Sequence, residues 1–185
     1  MCWAAIHRGA VIARRLNHPA HASRWQQIAD IERATVLDRG YNKDLGFFTQ
    51  ALGGEYPDAS NLLLPTIGLL DAKDPRFVST VRQYEKLLVD RGLMLRYRNQ
   101  DEFGETSSAF TICSFWWCEA LALMGELDAA IELFAQLKRR ANALGLYSED
   151  IDPATGALLG NFPQAYTHVG LIHTAPSEHL ALLIL

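Results

Sequence analysis

The chain has 185 residues, 49% of them hydrophobic and 21% charged, the make-up of one globular domain with a sizeable core and not of a disordered segment. A net charge of -4, a pI near 5.8 and the absence of any Lys/Arg run exclude the electrostatic footprint of a nucleic-acid or membrane-surface binder. No stretch reaches the roughly 18 apolar residues of a bilayer span, Met1 to Ile6 lacks the build of a signal peptide, and an odd count of cysteines (Cys2, Cys113, Cys118) reads as reduced core residues.

Hydrophobic spacing predicts about seven helices and an all-α fold. Residues 2 to 16 are apolar over most of their circumference, whereas 23 to 38 carry a stripe of Trp25, Ile28, Ile31, Ala34 and Leu37 among charges. The run 59 to 70 is mostly apolar with Pro65 set to kink or split it. Asp74-Pro75, an N-cap and first-turn pair, opens a one-sided helix with Val78, Val81, Tyr84, Leu87 and Leu88. Residues 107 to 124 are apolar all round and stop at Gly125. Residues 129 to 144 show the stripe Ile131, Phe134, Leu137, Ala141 and Leu144 up to Gly145, and 163 to 185 are again mostly apolar. Buried and half-exposed helices thus alternate, as when inner helices line a ring and outer ones cover it.

Between the last two helices, three acids share one loop: Glu149, Asp150 and Asp152. Turn signals hold it, with Pro153 and Gly156 around D-P-A-T-G and Gly160-Asn161 before the next apolar run. An acid cluster in an ordered loop suits hydrolysis, and equally a solvated turn. His168 and His173 are five apart and do not share a helix face, so they read as core histidines and not as metal ligands. Asp150, Asp152 and Gly156 lack the closing Glu of a calcium loop. Neither a metal nor an organic cofactor is expected.

The loop resembles the C-terminal signature of glycoside hydrolase family 15, the glucoamylases, glucodextranases and bacterial-type trehalases. The matching residues run Ser148-Glu149-Asp150-Ile151-Asp152-Pro153, Thr155-Gly156, Gly160 to His168 and Leu171-Ile172. Upstream matches are Met1 to Ala5, Asp58-Ala59-Ser60 with Leu62 to Pro65, Arg96-Tyr97-Arg98, Ala109-Phe110 and Cys113 to Trp116. The resemblance runs along the whole chain but spans only the C-terminal part of the family's catalytic domain. It implies one domain over 1–185, an incomplete (α/α)6 toroid. The family's N-terminal β-sandwich and first half of the barrel have no counterpart, so self-association or pairing with a missing N-terminal half is expected. A cytoplasmic location is the default, an export signal further upstream staying open.

The resemblance implies inverting hydrolysis of an α-glucosidic bond, in glucan ends or trehalose, and hence a carbohydrate partner. Inversion needs one carboxyl to activate water and another to protonate the leaving oxygen. Glu149 resembles the family's general base, with Asp150 as rival, while Asp150 and Asp152 otherwise brace the turn. Arg96 and Asp101 resemble a loop that grips sugar hydroxyls, and Glu55 and Tyr56 are placed to rim the site. The family's general acid lies in a W-E-x-R segment with no match here; Glu32 and Glu55 are nearest by order and match it poorly. Trp116 and Trp117 suit the core better than a sugar platform. The expectation is therefore a truncated enzyme, weak or inactive alone, the alternative being an inert helical carbohydrate-binding or assembly module.

Overall fold

A computed structural model describes residues 1–100, 104 and 107–175. Six α-helices dominate them: α1 (Cys2–Arg15), α2 (Pro19–Arg39), α3 (Pro75–Leu88), α4 (Thr111–Met124), α5 (Leu127–Lys138) and α6 (Ala165–Thr174). Between them lie short strands that the all-α expectation lacks. β1 (Tyr41–Asn42) pairs with β2 (Phe47–Phe48), and β3 (Val89–Asp90) with β4 (Leu93–Met94). A three-stranded antiparallel sheet runs β5 (Ala109–Phe110), β6 (Asp150–Ile151), β7 (Leu158–Leu159). The fold is mostly helical, and none of these helices is long and apolar enough to cross a membrane.

Helix α4 is the hub. Ile112, Cys113, Phe115, Trp116, Cys118, Ala120 and Leu121 are buried on all its sides, as its mostly apolar run predicts. It packs against α5, α6 and the 3-10 helix Ala59–Leu63. Gly170 lets α6 approach closely, since a Cβ there would stand 2.9 Å from Ile112 Cγ1 and 3.2 Å from Phe115 Cβ. Gly125 ends α4 in the left-handed region at φ 92°, which an L side chain adopts only at a cost. Asp74 caps α3 as expected, its side chain accepting from Arg76 N at 2.9 Å with Pro75 in the first turn.

Several boundaries differ from the periodicity, each for a physical reason. Residues 59 to 70 form a 3-10 helix only to Leu63 and then turns, because Pro65 has no N–H to extend a helical ladder and Gly68 takes φ 84°. Residues 109 and 110 leave the predicted helix to pair with Ile151 and Asp150, a tertiary pairing that outweighs local propensity. Helix α5 stops at Lys138, and Leu144 is exposed. On α2 the predicted stripe is not the buried face: Ile31 is 67% exposed, while Ala22 and Ala29 are buried. These two lie seven apart, a seam of small side chains next to the contact of Trp25 with Gly9 on α1.

Candidate active site

Glu149 sits one residue before β6 and is fixed by backbone on both sides. Its N–H donates to Asn161 O and its carbonyl accepts from Thr111 N, the first residue of α4, both at 2.9 Å. The side chain is half-buried. Its Oε2 accepts from Asn161 N at 3.0 Å and from Asn161 Nδ2 at 2.7 Å. Both hydrogen bonds fall on one oxygen, and Oε1 has no hydrogen-bond partner among the described residues. Gly160 makes the approach possible: it takes φ 72°, and a Cβ there would stand 2.9 Å from Glu149 Oε2.

The other two acids have separate tasks. Asp152 Oδ1 accepts from Ala154 N at 2.7 Å and Thr155 N at 3.3 Å, bracing the D-P-A-T-G turn, and hydrogen bonding from the Thr155 side chain first and these amides after it lowers its pKa. Asp150 braces no turn. Its Oδ2 accepts from Ser108 Oγ at 2.5 Å, joining the loop before β5 to β6. Burial raises the Asp150 pKa; the Ser108 hydrogen bond opposes this and the Glu149 charge adds to it.

Arg96 follows β4. Its Nε donates to Asp58 Oδ1 at 2.7 Å, and its carbonyl accepts from Ala59 N at 2.9 Å. The Asp58 side chain is only 6% exposed, and Ser60 N also donates to Oδ1 at 2.8 Å. Asp58 N in turn donates to the hydroxyl of buried Tyr84. Burial disfavours the Arg96 cation, yet the hydrogen bond and charge of Asp58 outweigh it and hold the guanidinium pKa above its ordinary value. Asp58 takes Nε, and the terminal nitrogens have no hydrogen-bond partner among the described residues.

The first turn of α4 joins these two parts. Thr111 N holds the Glu149 carbonyl, and Ser114 Oγ accepts from Met94 N at 2.9 Å, two residues before Arg96. The buried Cys113 thiol feels the charges of Arg96, Asp58 and Asp150 together. The turn therefore connects to Glu149 through Thr111 and, through Ser114 and Met94, to the strand that precedes Arg96.

The remaining candidates are less gathered. Glu55 and Tyr56 are exposed on the loop running into Asp58 and tied to it through the chain alone. Asp101 lies outside the described residues. Glu32 is half-buried and lines a cavity of about 550 Å³ between α1, α2 and residues 48 to 52. Trp116 is core, while Trp117 donates from Nε1 to Glu85 Oε1 at 3.0 Å. His168 is only half satisfied: Nδ1 donates to Gln164 O at 2.7 Å, and Nε2 is buried with no protein partner among the described residues. His173 is exposed. No group of three or more His, Cys, Asp or Glu placed to hold a metal occurs among the described residues. Sequence reasoning assigned no role to Asp58, Ser108 or Asn161, although Asp58 and Asn161 stood within the matched motifs.

A family model described as glycosyl hydrolases family 15 matches residues 1–176. The chain belongs to glycosyl hydrolase family 15. Among curated members it is 40% identical over 184 residues to a trehalase of Thermoplasma volcanium, covering 99% of this chain and 30% of that protein. It is 43% identical over 176 residues to a trehalase of Mycobacterium tuberculosis, covering 94% of this chain and 26% of that one. The chain thus spans less than a third of these relatives' length. Among solved structures, a wild-type glycosidase superposes with TM-score 0.77 at 20% identity, covering 97% of this chain and 51% of that one. A glycosidase variant in complex with glucose gives the same TM-score. At that identity the likeness speaks for the fold alone.

Proposed function

We propose that Glu149 is the general base of an inverting glycoside hydrolase that cleaves the α-glucosidic bond of trehalose, and that Arg96 grips hydroxyls of the glucosyl unit. The observation that carries this reading is the Glu149 carboxylate, tied by Oε2 to Asn161 and open at Oε1, on the α4 turn that also leads to Arg96. A general base has to be oriented and within reach of one water, and a carboxylate held at Oε2 by Asn161 supports that reading. The trehalase relatives favour trehalose over glucan ends. Asp101 is the second hydroxyl-gripping residue in this reading, and Glu55 and Tyr56 rim the site.

In the reaction, water held by Oε1 attacks the anomeric carbon opposite the departing oxygen and passes its proton to Glu149. The departing oxygen takes a proton from a second carboxyl group about 6.5–9.5 Å away. We place that acid outside these 185 residues. Glu32 belongs to a cavity lined by α1 and α2, and Glu55 stands exposed in a loop. The architecture that would hold both groups is the six-pair toroid, of which this chain supplies about half the span of the solved glycosidases.

α-Glucosyl fluoride tests this directly, because fluoride leaves without protonation and so bypasses the acid. The chain is expected to convert it to β-glucose by inversion while turning over trehalose only weakly. Glu149→Gln is expected to lower fluoride turnover about 10²- to 10⁴-fold, the usual worth of a general base. Retained turnover in that variant, or α-glucose as first product, overturns the assignment. Glucose binding without any turnover supports the inert binding module instead.

A further inference from the structure

We infer that Asn161 is the positioning residue of Glu149: it binds Oε2 with two donors and thereby directs Oε1 at the attacking water. The inference rests on the reading of Glu149 as the base. A free glutamate side chain rotates about three torsions and presents either oxygen to solvent. Here Asn161 N and Nδ2 approach the same oxygen from one residue, at 3.0 and 2.7 Å, a chelate that fixes the last torsion as well as the charge.

The clamp is built into the fold at both ends. Glu149 N donates to Asn161 O, so one backbone hydrogen bond joins the two residues besides the two that Asn161 N and Nδ2 give the carboxylate. On the far side, Thr111 N holds the Glu149 carbonyl at the start of α4. Gly160 lies against the Glu149 side chain, where a Cβ would come within 3.0 Å of Glu149 Cβ. The carboxylate therefore has one face closed by Gly160, one oxygen closed by Asn161 and one oxygen open. Asn161 is itself exposed and outside the hydrophobic core, so its side-chain donor serves the carboxylate and little else. Asp at this position would keep the shape and replace the donor by a second negative charge beside Glu149.

The test uses α-glucosyl fluoride with Asn161→Ala, Asn161→Asp, Glu149→Gln and the Glu149→Gln/Asn161→Ala double variant, each checked for folding by circular dichroism. Asn161→Ala is expected to lower kcat about 10- to 100-fold with KM within about twofold, as misplacing a reacting group does. Asn161→Asp is expected to lower it further at neutral pH and to recover partly in acid. In the Glu149→Gln background, Asn161→Ala is expected to change nothing, because the clamp then has no base to hold. An Asn161→Ala effect that persists undiminished without Glu149, or a folded Asn161→Ala with unchanged kcat, overturns the positioning role while leaving the base intact. Turnover that survives Glu149→Gln, or is absent from the unsubstituted chain, overturns the base and the clamp together.

Discussion

Arg96 Nε and Asp58 Oδ1 are 2.7 Å apart, and this bond sets the direction of a guanidinium that the chain carries straight out of β4. Ser60 N donates to the same Asp58 oxygen while the Asp58 N–H donates to Tyr84 Oη, so the carboxylate is the fixed partner and the arginine the aimed one. Asp58→Ala removes a hydrogen bond between charged groups, worth about 1.5–3 kcal/mol. It is expected to lower the melting temperature and to raise KM for α-glucosyl fluoride more than it lowers kcat, as steady-state kinetics beside a thermal melt will show. The opposite split would mean that Arg96 does not grip the sugar.

Gly160→Ala tests the closed side of the carboxylate. The added Cβ meets Glu149 Oε2 at 2.9 Å on a backbone with φ 72°, so both the contact and the conformation are strained. The expected cost is about 1–3 kcal/mol, with a loss of turnover larger than stability explains, because Glu149 has to move. Comparing kcat well below the melting temperature separates the two effects.

Asp74→Ala tests the cap of α3 and its pH dependence. The Arg76 hydrogen bond holds the Asp74 pKa below its ordinary value. A carboxylate with a lowered folded-state pKa contributes stability above its unfolded pKa, near 3.8 here, and that contribution is lost as pH falls through the folded value. Asp74→Ala is therefore expected to cost about 1 kcal/mol at neutral pH. The gap between variant and parent should close in denaturant melts carried below pH 3.8, and a gap that stays constant into acid would mean that the charge plays no part.

Thiol labelling at pH 8 should modify Cys2 alone in the folded chain. Cys2 is exposed, whereas Cys113 and Cys118 are buried, and burial pushes the Cys118 thiol up to about 12 and that of Cys113 higher still. Mass spectrometry after iodoacetamide will show one adduct; rapid labelling of Cys113 would mean that the α4 turn opens.

Local chemistry sufficed where one element decides the outcome. The mostly apolar run of α4, its stop at Gly125, the Asp74-Pro75 cap and the Asp152 turn were all legible, because each depends on residues within a few positions of one another. Family motifs likewise singled out Glu149 and Arg96. What the chain alone could not reveal were pairings across distance. That α2 buries Ala22 and Ala29 in place of the Ile31 face depends on which surface α1 offers. That residues 109 and 110 are strand depends on a partner some forty residues later. The division of labour among the three acids was decided the same way: Ser108 claims Asp150, the turn claims Asp152, and Asn161 takes one oxygen of Glu149. Residue type and spacing state which groups can ionise, but an oxygen is committed only when a donor from another part of the chain arrives within 3 Å of it.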